Sequence, residues 1–301
     1  MPVNAIISNV SRGSLHDGPG VRTVIYFKGC LLRCLWCHNP ETLSFGREIL
    51  FSPSKCIGCG SCIEVCPQHH DLDEGKLTFL REGCIACGKC AEACPAMALE
   101  LCGEEISTVD LFATIKKDLP YYTASGGGVT FSGGECLLQW EAVADLAKRC
   151  HDLNIPTAAE TALFVPWHNI EKVLPYIDLF YADLKMADPE KHRRFTGQDN
   201  GLILENLQKL SEQHKQIIVR IPVIPGVNDT KEELAAMAQI LKKLGSGLRQ
   251  VELLKYNILG ASKYPAVGKT YTSFAPCSQS DEEMRTLCDD LQRACGKICS
   301  F

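Results

Sequence analysis

Cysteines 56, 59, 62 and 66 recur as 84, 87, 90 and 94, each displaced by 28 positions. Both runs read Cys-x-x-Cys-x-x-Cys-x-x-x-Cys-Pro, ending at Cys66-Pro67 and Cys94-Pro95. In this duplicated unit each run supplies three ligands to one 4Fe–4S cube and its fourth cysteine to the other cube. The expected sets are therefore Cys56, Cys59, Cys62 and Cys94 for one cube, and Cys84, Cys87, Cys90 and Cys66 for the other. Gly58, Gly60 and Gly88 let the backbone wrap closely around inorganic sulfide. A zinc ribbon is the alternative reading. Four protein ligands leave no iron free for substrate, so these cubes are expected to carry electrons.

A third cluster of cysteines differs. Cys30, Cys34 and Cys37 lie in Cys-Leu-Leu-Arg-Cys-Leu-Trp-Cys, directly after the strand-like run Val21–Phe27. Three thiolates at this spacing hold three irons of a cube and leave the fourth without a protein ligand, as a catalytic site requires. A zinc knuckle completed by His38 is the competing reading, but adjacent Cys37 and His38 rarely fit one tetrahedron. With Trp36 as its aromatic, the loop resembles the signature of radical S-adenosylmethionine (SAM) enzymes.

The 301 residues suffice for one full-sized core plus a small appendage. With 31 Lys and Arg against 36 Asp and Glu, the net charge of −5 offers no basic footprint for nucleic acid. No apolar run approaches membrane-spanning length, and Met1–Ser14 lacks a signal-peptide pattern. The expectation is a cytoplasmic protein whose 18 cysteines are thiols or metal ligands rather than disulfides. Cys288, Cys295 and Cys299 share one face of the helical pattern Asp281–Lys297 and read as core packing rather than a further metal site.

Apart from the cysteine-rich insert, strand-like runs at Val21–Phe27, Gly128–Ser132, Ile155–Glu160, Ile177–Leu184, Ile217–Val223 and Gln250–Tyr256 alternate with helical patterns. The clearest helices are Ser107–Asp118, Leu138–His151, Leu202–His214 and Thr230–Leu244. Ser107 with Asp110 and Asp229 with Glu232 resemble capping boxes. Six β–α units argue for a parallel sheet curved into part of a barrel. Chemistry in such folds gathers at the C-terminal strand ends. There lie the three-cysteine loop, Ser132-Gly133-Gly134-Glu135, Glu160-Thr161, Asp183-Leu184-Lys185, Arg220 and Tyr256-Asn257.

These residues carry a family resemblance across essentially the whole chain. The matching segments are His16-Asp17-Gly18-Pro19-Gly20-Val21-Arg22 and Phe27-Lys28-Gly29-Cys30 through Cys37-His38-Asn39-Pro40-Glu41. Others are Ala124 through Glu135, Ala182-Asp183-Leu184-Lys185, Arg220 through Gly226, and Leu254 through Gly260. The sequence resembles the glycyl radical enzyme activating enzymes, radical SAM proteins related to pyruvate formate-lyase activase, in the subgroup with a ferredoxin-like insert.

The resemblance implies a partial (β/α)6 barrel of the radical SAM kind over residues 1–48 and 103–301, with a two-cluster ferredoxin-like domain over 49–102. It implies that SAM chelates the open iron. Gly133 and Gly134 would then hold its amino group with Glu135 fixing the loop, and Trp36, His38 and Asn257 would lie beside it. Asp183, Leu184 and Lys185 would reach its ribose and carboxylate end, and Arg220 would neutralise the carboxylate. Glu160, Thr161, Asp183 and the Tyr181 carbonyl would form a monovalent-cation site. Asp17 and Arg22 would meet the glycine loop of the partner.

Two departures from the family pattern are Asn257, where histidine is usual, and Cys136, where proline or a small residue often follows. The implied reaction is one-electron cleavage of SAM to a 5′-deoxyadenosyl radical, which removes a glycine Cα hydrogen from the partner. Flavodoxin or ferredoxin would supply the electron. The alternatives are radical chemistry on a small molecule or another peptide, or a pure electron carrier, for which an open iron has no use.

Overall fold

The computed structural model describes residues 3–213 and 215–301, so His214, the expected end of one helix, lies outside the described residues. Thirteen strands are described: β1 (Asn4–Ser14), β2 (Arg22–Phe27), β3 (Glu48–Phe51), β4 (His70–Asp73), β5 (Lys76–Phe79), β6 (Leu99–Cys102) and β7 (Glu104–Ser107). The remainder are β8 (Gly128–Gly133), β9 (Thr157–Thr161), β10 (Leu179–Asp183), β11 (Gln216–Val223), β12 (Leu248–Lys255) and β13 (Cys299–Ser300).

Nine of them form one mixed sheet in the order β13-β12-β11-β10-β9-β8-β2-β1-β7. The six expected strands, β2 and β8 to β12, run parallel and adjacent in chain order. β13 adds parallel to β12, whereas β1 and β7 extend the other edge antiparallel. The sheet is open, because β7 and β13 do not pair with each other.

Strand alternation divides the sheet into two chemically different faces. Ile25, Phe27, Val129, Phe131, Phe180, Val219 and Leu253 face the helices, and are buried with Leu146 of Trp140–Asp152, Leu207 of Gly201–Glu212 and Leu241 of Lys231–Lys243. The alternate residues Thr130, Ser132, Glu160, Asp183, Arg220 and Glu252 take the concave face. Its floor is closed by Ala158, Leu179 and Tyr181.

Helix starts follow side-chain caps. Ser107 accepts from the Asp110 backbone N–H at 3.1 Å. The helix expected to be capped by Asp229 and Glu232 is capped one residue later, by Thr230 accepting from Glu233. The last long helix stops at Cys295, where Gly296 adopts φ +69°. Cys288 and Cys295 are therefore helical and in the core, while Cys299 belongs to β13.

β3 pairs with β6 and β4 with β5 as separate antiparallel ladders, between which Ser61–Val65 and Lys89–Glu92 form short helices. This segment has its own small core of Ile49, Phe51, Cys62, Leu77, Cys90 and Leu99. Its closing strand pair begins at Glu48, one residue before the expected boundary. Lys28, 1% exposed, ties it to the main sheet: its ammonium donates to Glu48 and to the Glu41 carbonyl, each at 2.7 Å. Among the described residues, no helix is long and apolar enough to cross a membrane.

Candidate active site

The C-terminal ends of the parallel strands open onto one cavity of about 540 Å³. The loop after β2 lines it with Cys30, Cys34, Trp36, Cys37 and His38; β8 and its loop contribute Gly133 and Gly134. Glu160, Thr161, Asp183, Lys185, Arg220 and Asn257 line it too, whereas Glu135, Leu184 and Tyr181 of the expected set do not. Tyr256 and Phe301 also line it, and Phe301 had no signal in local sequence.

Backbone bonds to a distant segment hold the cysteine loop. Arg33 N–H donates to the Thr196 carbonyl at 2.6 Å and Leu35 N–H to the Phe195 carbonyl at 3.1 Å. Trp36 is buried against Phe195 and Phe274, with ring centroids 6.4 and 5.9 Å away. Burial pushes the Cys30 and Cys34 thiols up to about 12 and Cys37 up to about 11. Thiols held this high become thiolates only with strong positive charge beside them, which cluster iron would supply. Among the described residues, no three Cys, His, Asp or Glu side chains converge on a single-ion site. The thiols instead border an open volume, and their soft donor set fits an iron–sulfur centre.

Gly133 and Gly134 clamp the second loop against the first. A Cβ on Gly133, at φ +113°, would lie 2.3 Å from the Phe27 carbonyl oxygen; one on Gly134 would lie 2.4 Å from that of Gly29. Those contacts are occupied by hydrogen bonds from Gly134 N–H to Phe27 at 2.9 Å and Glu135 N–H to Gly29 at 2.8 Å. The Glu135 side chain is buried outside the cavity lining and accepts from Thr161 Oγ1 at 2.8 Å, Ala162 N–H at 2.9 Å and Leu137 N–H at 3.2 Å. It fixes both loops from behind. Cys136 is also buried, its thiol directed at the Glu160 carbonyl at 3.5 Å.

Burial raises the Glu135 carboxyl to about 7 despite these donors. Its folded-state pKa exceeds the ordinary 4.5, so its contribution to stability is full below pH 4.5 and is lost as pH rises to about 7. The expected loss is about 3 kcal/mol across that window. Glu135→Gln should flatten this slope in denaturant unfolding of the anaerobic protein between about pH 4.5 and 7. An unchanged slope would assign the pH dependence to other groups.

The charged residues are already paired. Lys185 Nζ lies 2.6 Å from Asp183 Oδ2. Burial opposes its charge, but Asp183 and Cys34 outweigh that and hold the lysine above its ordinary range. Leu184, between them, points into the core at 1% exposure, so only its backbone reaches the strand end. Arg220 donates to Glu252 at 2.7 Å and to Glu160, and lies 3.7 Å above the Tyr181 ring. Ser132 donates to the other Glu160 oxygen at 2.6 Å. Glu252 was not among the expected site residues; its register opposite Arg220 on β12 is the signal that locates it.

Asp17 and Arg22 separate in environment. Asp17 is half-buried; its carboxylate accepts from Ser14 and its carbonyl from Thr130 at 2.7 Å. Arg22 is 2% exposed, with Nε donating to Thr130 Oγ1 at 2.9 Å and Nη2 to the Val129 carbonyl. The guanidinium is thus enclosed in the sheet beneath the turn.

In the insert, Cys56, Cys59, Cys62 and Cys94 line a single small cavity. Burial pushes the Cys90 thiol up to about 11, and its proximity to Cys66 and Cys84 adds to that rise. Cys59 and Cys87 are exposed.

Comparison with known proteins agrees with this geometry. Residues 104–238 match the radical SAM superfamily, residues 48–98 a 4Fe-4S dicluster domain and residues 16–64 a 4Fe-4S single cluster domain. The (2S)-3-sulfopropanediol dehydratase activating enzyme of Klebsiella oxytoca is 45% identical, over 88% of this chain and 86% of that protein. The chain is a glycyl radical enzyme activating enzyme of the radical SAM superfamily. The trans-4-hydroxy-L-proline dehydratase activating enzyme of Clostridioides difficile is 40% identical, covering 95% of both chains. Streptococcus suis SuiB, solved with precursor peptide SuiA, shares the fold at a TM-score of 0.58 and 11% identity, over 95% of this chain and 49% of that one. As an activating enzyme, the chain uses iron–sulfur clusters and SAM to activate a glycyl radical enzyme.

Proposed function

We propose that this activating enzyme works with three 4Fe–4S cubes, an open one on Cys30, Cys34 and Cys37 and two closed ones in a ferredoxin-like insert. The observation that carries the reading is the convergence of three cysteine thiols, Lys185 and Asp183 on one cavity at the strand ends. The cube on Cys30, Cys34 and Cys37, with SAM, would supply one-electron radical chemistry there, while the protein would position SAM and exclude water and oxygen.

Backbone at Gly133 and Gly134 would receive the SAM amino group. Trp36, His38 and Asn257 would border SAM, and Asp183 and Lys185 would take its ribose and carboxylate end. Arg220 has two carboxylate partners, so it would meet the SAM carboxylate through its remaining nitrogen. A monovalent cation at Glu160, Thr161, Asp183 and the Tyr181 carbonyl would require Glu160 and Asp183 to release their present cationic partners.

The protein would act in the cytoplasm, reduced by flavodoxin or ferredoxin. Two relatives described above are named for dehydratases, which makes a dehydratase-type glycyl radical enzyme the first partner to assay. Anaerobic incubation of the reduced, iron-loaded protein with SAM and that partner should produce a glycyl radical signal by electron paramagnetic resonance (EPR). SAM cleavage without a radical on any candidate partner would favour a small-molecule or other peptide substrate.

Asp17 provides a finer test. Asp17→Ala should leave SAM affinity unchanged and weaken binding of a peptide spanning the partner's radical glycine by about 1–3 kcal/mol, the loss of a charged or backbone hydrogen bond. Equal losses for both ligands would make Asp17 only the brace that holds Ser14.

A further inference from the structure

We propose that the segment Gly260–Gly268 is the electron bridge between the insert and the three-cysteine loop, with Arg81 and Tyr264 as its positioning residues. The proposal rests on the reading that both insert cysteine sets hold cubes. It adds a direction: electrons enter at the Cys56 set, pass to the Cys84 set and leave across this bridge.

A hydrogen-bonded chain joins one ligand set to the other. Cys84 N–H donates to the Arg81 carbonyl at 3.1 Å. The Arg81 guanidinium donates to the Ile49 carbonyl at 2.6 Å within the insert and to the Ala266 carbonyl at 2.5 Å across the boundary. Val267 N–H then donates to the Tyr264 carbonyl at 3.1 Å. Tyr264, 5% exposed, turns its hydroxyl to the carbonyls of Cys37 at 3.1 Å and Leu35 at 3.3 Å.

Independent contacts hold the bridge rigid at both ends. Lys263 Nζ reaches Asn39 Oδ1 at 2.9 Å and Glu41 Oε1 at 2.7 Å, just beyond the cysteine loop. Gly268, at φ +70°, leaves space for Arg81, whose Nε would lie 2.4 Å from any Cβ there. The Arg81 guanidinium is also stacked 4.9 Å from the Phe79 ring centroid. The Cys56, Cys59, Cys62 and Cys94 cavity, in contrast, is lined wholly by insert residues between 56 and 99. None of the bridge residues lines that cavity.

One electron moves from the Cys84 centre to the three-cysteine centre, oxidising the first and reducing the second. No bond or proton at Arg81 or Tyr264 changes. Because tunnelling falls steeply with distance and with loss of bonded contact, loosening the bridge slows this transfer without altering either ligand set.

The test compares two reductants, flavodoxin, which delivers through the insert, and dithionite, a small reductant able to reach the open centre. In Arg81→Met and Tyr264→Phe, most flavodoxin-driven SAM cleavage should be lost, while dithionite-driven cleavage, iron content and SAM affinity are kept. Freeze-quenched EPR should show the insert centres reduced while the open centre stays oxidised. Arg81→Lys, which keeps a donor for the Ala266 carbonyl, should restore transfer.

Equal loss with both reductants, or none with flavodoxin, would overturn the bridge. Cys59→Ala and Cys87→Ala distinguish the underlying reading: full flavodoxin-driven turnover in both would remove the relay itself. If Arg81→Met does not fold, the ring-preserving Tyr264→Phe decides.

Discussion

Replacing any one of Cys30, Cys34 and Cys37 by alanine is expected to abolish SAM cleavage and lower iron from about twelve to about eight atoms per chain. On the proposed reading the three thiols would hold the open centre, and no other described cysteine lines the cavity they share. Cys136 cannot substitute, because its thiol is buried against the Glu160 carbonyl. The closed centres proposed for the insert would depend on other cysteines and should survive, so the eight-iron product should still show reduced-cluster EPR signals. Iron determination on anaerobically reconstituted protein checks this. A wild-type plateau near four irons would remove the two insert centres, and retained SAM cleavage in all three variants would remove the open one.

Lys185→Met should have the next largest effect. The ammonium is buried beside Cys34 and Cys30 and 2.6 Å from Asp183, so one positive charge offsets a carboxylate and the thiolates together. Methionine preserves length and apolar contact but leaves Asp183 without its partner. Breaking a buried ion pair costs about 3–5 kcal/mol, and the lower end applies because the Asp183 side chain is 30% exposed. Stability should therefore fall by about 3 kcal/mol, with weaker SAM binding and an altered EPR spectrum of the open centre. Denaturant unfolding, SAM titration and EPR on one preparation provide the three readings. Unchanged SAM binding would leave Lys185 a purely structural counter-ion.

Site residues named by short-range pattern were the most legible. The ligand spacings span a few residues, and the local chain alone determines how far apart such thiols stand. The six parallel strands were legible because alternation and β-branched runs report burial on a sheet. Their ends then located Gly133, Glu160, Asp183, Arg220 and Asn257 through one rule about where such folds place chemistry. β1 was not legible: it is half polar, lies antiparallel outside the β–α series, and has irregular register at Ile7/Asn9 and Arg12/Ser14.

Arg22 shows the difference most clearly. Next to a Gly-Pro-Gly turn, its charge reads as an exposed contact, yet it is enclosed by Thr130, Val129 and Pro156, more than a hundred residues away. Charge and neighbours in sequence do not report burial when the enclosing groups are brought in by sheet pairing.

Sequence by itself determined the series of β–α units and the family, since each rests on residue identity at short spacing or on periodicity along one segment. Only the tertiary structure decided that Arg220 is held between Glu160 and Glu252, that Glu135 is buried behind the cavity wall, and that Arg81 and Tyr264 span the boundary between insert and main sheet. These are relations between groups distant in the chain, and their energies depend on burial and distance, which a linear pattern does not contain.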